Sequence, residues 1–245
     1  ISPSVYYAAV KMNKPVVQTI HNFRMLCPGA TFYRDGHICE DCVSKGLRCS
    51  LKHKCYRNSF IQTLVCVIST KIHRTTRIYS KINYICLTEF NKNKLLQLKQ
   101  IKSERVFVKP NFTKNNEKIS SDIHNIQRKN QFIFIGRLEQ IKGIDFLLEV
   151  WKELGDTTHK LIVCGIGSLE NYCKEYISKY KLNIEMKGLV SNEEVKELVS
   201  ESLALIMPTM WYEGFPMTIV EAFSVGTPVI CPNMGNVGNL VEDGI

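Results

Sequence analysis

Two carboxylates, Glu213 and Glu221, stand eight positions apart around a Gly214-Phe215-Pro216 turn. An apolar run at 203–207 precedes them, and Val225-Gly226-Thr227-Pro228 follows. The pattern predicts a strand, a loop carrying Glu213, and a helix with Glu221 about one turn in. The first N–H groups of such a helix have no intrahelical partner and favour an anion. Glutamates at this spacing also arise by chance, so the pair gains meaning from its company. The apolar run 132–135 reads as a buried strand that ends in Gly136-Arg137-Leu138, with Lys142-Gly143 at the mouth of a helix. A departing phosphate-type leaving group builds negative charge, which fixed cations in a crevice stabilise without a metal. Either cation alone reads as a solvated surface charge; together they are candidates for that work. A further turn, Gly165-Ile166-Gly167, follows the run 161–164. G-x-G by itself is satisfied by any tight strand-to-helix connection, and its value here lies in its position.

The elements that must hold these residues follow from the same alternation. After the G-x-G turn come a predicted helix from about 169, strand 184–186, helix 192–199, strand 203–207 and strand 228–231. Short apolar runs alternating with helical patterns argue a parallel sheet flanked by helices, whose ligands sit at the carboxyl ends of the strands. Every motif above falls at a strand end.

Charge divides the chain at the start of this pattern. Residues 1–130 hold 23 Lys and Arg against 7 Asp and Glu, the remainder 9 against 16, within a net charge of +9. Such a split predicts a first domain over 1–110, a polar linker over 111–130 and a second domain over 131–245. A basic first domain fits nucleic acid, an anionic membrane surface or an acidic acceptor, and composition does not choose among them. The apolar stretch 60–69 is too short to span a bilayer. With Lys71, Arg74 and Arg77 after it, it reads either as a helix lying on a membrane or as a partly buried helix with a solvated basic end. His21 ends a predicted strand at 15–20.

The combination Gly136-Arg137-Leu138…Lys142-Gly143 with Glu213…Glu221 resembles the G-R-L-x3-K-G and E-x7-E motifs of retaining glycosyltransferases of family 4. The resemblance implies an α/β fold of two Rossmann-like domains facing a cleft, of the GT-B type. It also implies transfer of a sugar from a nucleotide-diphosphate-sugar to a glycan or lipid-linked acceptor, in cell-surface polysaccharide or glycolipid synthesis. By this resemblance Arg137 and Lys142 hold the diphosphate, Glu221 the ribose, and Glu213 with Gly214, Phe215 and Pro216 the sugar and phosphate. Gly136, Gly165 and Gly167 line the donor site, and His21, in a T-x-H-N context, addresses the reacting face. The segments 84–88 and 106–111 also look like that family's first domain. No D-x-D pair for a catalytic metal occurs in the sequence. The family pattern further implies that both domains are incomplete here, lacking an opening strand with its glycine-rich turn and a closing helix. A cytoplasmic protein, peripheral on the inner face of the membrane, is the implied setting.

Five cysteines crowd into one segment: Cys27, Cys39, Cys42, Cys49 and Cys55. The Cys39-Glu40-Asp41-Cys42 spacing is that of a metal knuckle, which leaves structural zinc, reduced thiols and disulfides open. Half of a fungal-type Zn2Cys6 pattern is present, but no second C-x-x-C follows, so a nucleic-acid reading fails on its own template. A comparable C-P…C-x-x-C…C-Y loop in some family members favours Cys27, Cys39, Cys42 and Cys55 as the ligands and leaves Cys49 a bystander. Cys66, Cys86, Cys164, Cys173 and Cys231 sit in apolar runs and read as core filler. The competing function is a noncatalytic zinc-stabilised module that binds nucleic acid or acidic glycan through its basic half. The transferase reading expects no nucleic acid.

Overall fold

Pro15 and Val16 lead into the strand β1 (Val17–Ile20), which pairs in parallel with β4 (Asn83–Cys86), itself parallel to β5 (Val106–Val108). In this computed structural model residues 3–113, 127–155 and 158–244 are described. Between β1 and β4 lie a two-residue antiparallel ladder, β2 (Tyr33–Arg34) with β3 (His37–Ile38), and three helices, α2 (Asp41–Ser44), α3 (Arg48–Lys52) and α4 (Phe60–Thr75), after the opening helix α1 (Ser4–Lys11). Thr88 caps α5 (Glu89–Leu96) by accepting from Asn91 N, which starts the helix at the acidic residue that suits its dipole. Phe32, Ile82 and Tyr84 are fully buried in the core of this unit, where the Tyr84 hydroxyl donates to Tyr79 O at 2.8 Å.

The second sheet is wholly parallel, in the order β10-β9-β6-β7-β8, built from β6 (Gln131–Ile135), β7 (Lys160–Cys164), β8 (Ile184–Gly188), β9 (Ala204–Ile206) and β10 (Val229–Ile230). The connecting helices are α6 (Ile144–Leu154), α7 (Glu170–Tyr180), α8 (Asn192–Ser200) and α9 (Met217–Ser224), with α10 (Gly235–Leu240) last. Sequence order along this sheet reverses between β6 and β9, the doubly wound arrangement that the alternation of runs predicts. Helix α6 shows why a sequence folds this way locally. Ile144, Leu147, Leu148 and Trp151 repeat at helical spacing and are all buried, and left-handed Gly143 and Gly155 bound the helix at its two ends. Burying each of these side chains contributes about 1.5–3 kcal/mol.

Backbone contacts divide the chain into two units, one comprising Ile1–Asn111 with Trp211–Phe215 and the other Phe112–Met210 with Pro216–Ile245. The loop Trp211–Phe215 therefore packs with the first unit, whereas sequence order places it inside the second domain. The reason is aromatic: Tyr212 packs edge-on against Phe23, Phe32 and Phe90, all of the first unit. Most of the linker expected at 111–130 lies outside the described residues.

Candidate functional site

In the second unit the turns that follow β6 and β7 are pressed backbone to backbone. Gly136 N donates to Cys164 O at 3.0 Å, Leu138 N to Ile166 O at 3.0 Å, and Leu169 N to Leu138 O at 2.9 Å. A Cβ on Gly165 would lie 1.9 Å from Gly136 O, and one on Gly167 would lie 2.4 Å from Leu138 O. Glycine is thus required at both places by the approach of the neighbouring chain. Beside these turns a cavity of about 250 Å³ opens at the carboxyl ends of β6, β7 and β8, and Gly136, Arg137 and Gly165 are among its walls. Gly167 is not one of them, and its place in the motif is explained by packing against Leu138.

Arg137 is exposed and its Nη1 donates to Glu139 Oε1 at 2.7 Å. A surface pair of this kind is worth about 1 kcal/mol or less, so a bound diphosphate can displace it. Lys142 ends a 3-10 turn, Gln140–Lys142, and Gly143 follows with φ of +73°. A Cβ on Gly143 would stand 2.0 Å from Pro208 O, and Met210 N donates to Ile141 O at 3.1 Å, so the lysine's turn is fastened to the segment after β9. Glu221 is the fifth residue of α9, one turn in as the spacing predicts, and partly exposed. A larger cavity of about 460 Å³ lies against α6, walled by Phe146, Trp151, Leu154 and Ile230 among others. Its lining is almost wholly apolar, which leaves a diphosphate little to bond.

The first unit gathers the other candidates. His21 is exposed at the carboxyl end of β1, and a Cβ on Gly214 would come within 2.5 Å of His21 O, so the two predicted site residues are in backbone contact. Asn91 Nδ2, itself buried, donates to Gly214 O at 2.8 Å, and Trp211 Nε1 donates to Glu213 Oε1 at 2.9 Å. Glu213 is only 6% exposed, a carboxylate held in one orientation by an indole. The Tyr212 hydroxyl donates to Glu40 Oε1 at 3.0 Å, and Lys94 Nζ lies 2.6 and 2.7 Å from the two oxygens of the same carboxylate. Burial, and then the hydrogen bond to Glu40 and its charge, push the Tyr212 hydroxyl up to about 12. None of Asn91, Trp211, Tyr212, Glu40 or Lys94 stands out in the sequence. Only a buried asparagine near the start of α5, a residue that needs a partner when desolvated, could have given a signal.

The cysteine-rich segment closes on itself. Cys27, Cys39, Cys42, Cys49 and Cys55 all line one cavity of about 10 Å³, so Cys49 stands with the others rather than apart. All ten cysteines are free thiols, which sets the disulfide alternative aside. Among the described residues no group of three or more His, Cys, Asp or Glu is arranged to hold a metal ion. The zinc expectation therefore finds converging thiols but no formed ligand geometry. Cys86, Cys164 and Cys173 are buried in the cores, while Cys66 and Cys231 are only partly covered. Arg74, expected at a solvated helix end, instead turns inward and donates to Met25 O at 2.7 Å.

Two parallel sheets with glycine turns at the strand ends of the second define an α/β protein with Rossmann-like units, and the comparisons with known proteins make its type that of the GT-B glycosyltransferases. The sequence profile of the glycosyl transferases group 1 family matches residues 115–245, and the chain belongs to that family. An uncharacterised glycosyltransferase of Methanocaldococcus jannaschii, MJ1059, is 29% identical over 178 residues, covering 62% of this chain and 43% of the relative. The amylovoran biosynthesis glycosyltransferase AmsD of Erwinia amylovora is 26% identical over 178 residues, covering 68% of this chain and 50% of its own length. Among solved structures, Anabaena HepE in complex with UDP superposes with a TM-score of 0.66 at 17% identity, over 98% of this chain and 59% of that one. The chain spans half or less of the length of these two curated relatives.

Proposed function

We propose that this chain carries the donor and reacting residues of a retaining glycosyltransferase of family 4, transferring a sugar from a nucleotide-diphosphate-sugar to a glycan or lipid-linked acceptor. The observation that carries the reading is the cavity at the carboxyl ends of β6, β7 and β8, with Gly136, Arg137 and Gly165 in its walls. In this reading Arg137 and Lys142 take the charge of the diphosphate and Glu221 the ribose hydroxyls. Glu213, the backbone of Gly214, Phe215 and Pro216, and His21 attend the sugar. The bond from the anomeric carbon to the diphosphate oxygen breaks while the acceptor oxygen bonds to that carbon on the same face. The acceptor's proton passes to the leaving diphosphate, so no nucleophile from the protein is needed. Fixed cations stabilise the charge that develops on the leaving group, and an indole-anchored Glu213 needs little reorganisation. Relatives named for amylovoran and colanic acid biosynthesis support a polysaccharide product. The stereochemistry is the test. Product made from an α-linked donor is expected to carry an α-linkage by the anomeric coupling in its NMR spectrum; a β-linkage rejects retention.

The cysteine loop is the second element of this proposal. One structural zinc on Cys27, Cys39, Cys42 and Cys55 is supported by the convergence of the thiols on one cavity, and requires their rotation onto a common centre. Elemental analysis of protein purified without added metal is expected to find about one zinc per chain, the stoichiometry of a four-thiolate site. Near-zero zinc with freely titrating thiols would remove it.

A further inference from the structure

Glu40 fills the N-cap position of α2, yet its side chain caps nothing there. It turns instead toward α5, where the two oxygens of its carboxylate lie 2.6 and 2.7 Å from Lys94 Nζ, and the nearer one also accepts from the Tyr212 hydroxyl at 3.0 Å. The Lys94 side chain is only 14% exposed, and its ammonium stands 5.3 Å from the ring centres of both Phe90 and Tyr212. Asn91, three residues back on the same face of α5, is buried and donates to Gly214 O at 2.8 Å. The two ties grip the residues on either side of Glu213.

Adhesion does not require this arrangement. The Tyr212 ring already packs edge-on against Phe23, Phe32 and Phe90, and a shielded ion pair stabilises a fold no better than apolar residues of similar size. What a charge-assisted hydrogen bond adds is direction. Ring packing alone lets Tyr212 slide and tilt, whereas the bond to Glu40 fixes its far end. With Asn91 holding the Gly214 carbonyl, the backbone is set on both sides of Glu213, and the Trp211 indole that donates to Glu213 Oε1 belongs to the same loop. Glu40 lies inside the Cys39-to-Cys42 turn, so the cysteine segment carries the distal end of this clamp.

We propose that Glu40, Lys94 and Asn91 are positioning residues of sugar transfer, which act through Tyr212 and Gly214 to hold Glu213 in the orientation the sugar requires. The inference rests on the sugar-transfer reading above. The chain has two tryptophans, Trp151 in the core of the second unit and Trp211 in the loop, so 5-fluorotryptophan labelling of the full chain gives one fluorine resonance from each. Tyr212→Phe, which keeps the ring, and Asn91→Ala are expected to shift or broaden the Trp211 signal and to leave that of Trp151 in place. Both should lower kcat about 10- to 100-fold, the scale of a misplacement of about 1 Å, while the affinity for a nucleoside diphosphate, measured by calorimetry, changes less than about twofold. Glu40→Gln keeps an acceptor for Tyr212 and should lie nearer wild type than Glu40→Ala in both readouts. An unmoved Trp211 signal or a wild-type kcat in both Tyr212→Phe and Asn91→Ala overturns the proposal. So does a parallel loss of kcat and diphosphate affinity with the Trp151 signal displaced, since the residues would then serve the fold at large. A wild-type chain that turns over none of the UDP-, GDP-, ADP- and dTDP-linked sugars counts against the sugar-transfer reading instead, and the fluorine spectra still decide whether the clamp orients the loop.

Discussion

Alanine at Arg137 or at Lys142 is expected to lower turnover by roughly 10² to 10³, the scale for removing one preorganised charge stabiliser. The geometry makes this a clean experiment for Arg137. Its side chain is exposed and its ion pair with Glu139 lies at the surface, so its loss costs at most about 1 kcal/mol of stability. A large fall in turnover with an unchanged melting temperature then reports chemistry rather than folding. Arg137→Lys keeps the charge but loses the planar fork, and should fall between wild type and alanine. Steady-state rates and melting curves of the three variants decide it; turnover equal to wild type in both alanine variants removes the diphosphate assignment.

Gly165→Ala and Gly143→Ala are the second large effect, this time on the fold. Gly165 has φ of +139° and a Cβ there would sit 1.9 Å from Gly136 O; Gly143 has φ of +73° and a Cβ 2.0 Å from Pro208 O. The opposing atoms belong to backbone inside a packed sheet edge, so no flexible side chain can move aside. Strained dihedrals and backbone displacement together are expected to cost about 3 kcal/mol or more. Gly155→Ala is the control. Its φ is +58°, but nothing lies within 4 Å of the added carbon, so only the left-handed penalty of about 1–2 kcal/mol applies. Chemical denaturation should rank the three accordingly. Similar losses at Gly155 and Gly165 would show that dihedral strain alone, and not the close approach of the two turns, fixes glycine there.

The second unit was largely legible in the sequence because its information is local. Apolar runs at strand length, glycines at the turns and a helix opening at Gly143 read directly into β6, β7, β8, β9 and α6. The sequence marks Gly165 and Gly167 by their position at a strand end; what it does not carry is the backbone approach that requires glycine at both, a contact between segments 28 or more residues apart, with Gly165 also in the wall of the strand-end cavity. The first unit was harder. Its loop Trp211–Phe215 comes from far along the chain, and its partners Asn91 and Glu40 are more than 100 residues away. Hydrogen bonds of a single side chain leave no periodicity to find. For the segment 60–69 the sequence leaves two readings open, a helix on a membrane or a partly buried helix with a solvated basic end, and which face is inside is not legible in it: Thr63, Val67 and Thr70 are buried, while Ile61, Val65, Ile68 and Ile72 are exposed.

The central claim is that the strand-end cavity of the second unit, with Arg137 in its wall, binds a nucleoside diphosphate. Calorimetric titration of the chain with UDP, GDP, ADP and dTDP, each beside its monophosphate, tests it without requiring the acceptor. One diphosphate is expected to bind in the range of about 1 μM to 1 mM usual for enzyme substrates, more tightly than its monophosphate. Arg137→Ala should weaken it roughly tenfold or more, the cost of a charge-assisted bidentate contact. Binding of no diphosphate in the panel, or equal affinity in wild type and Arg137→Ala, would contradict the account.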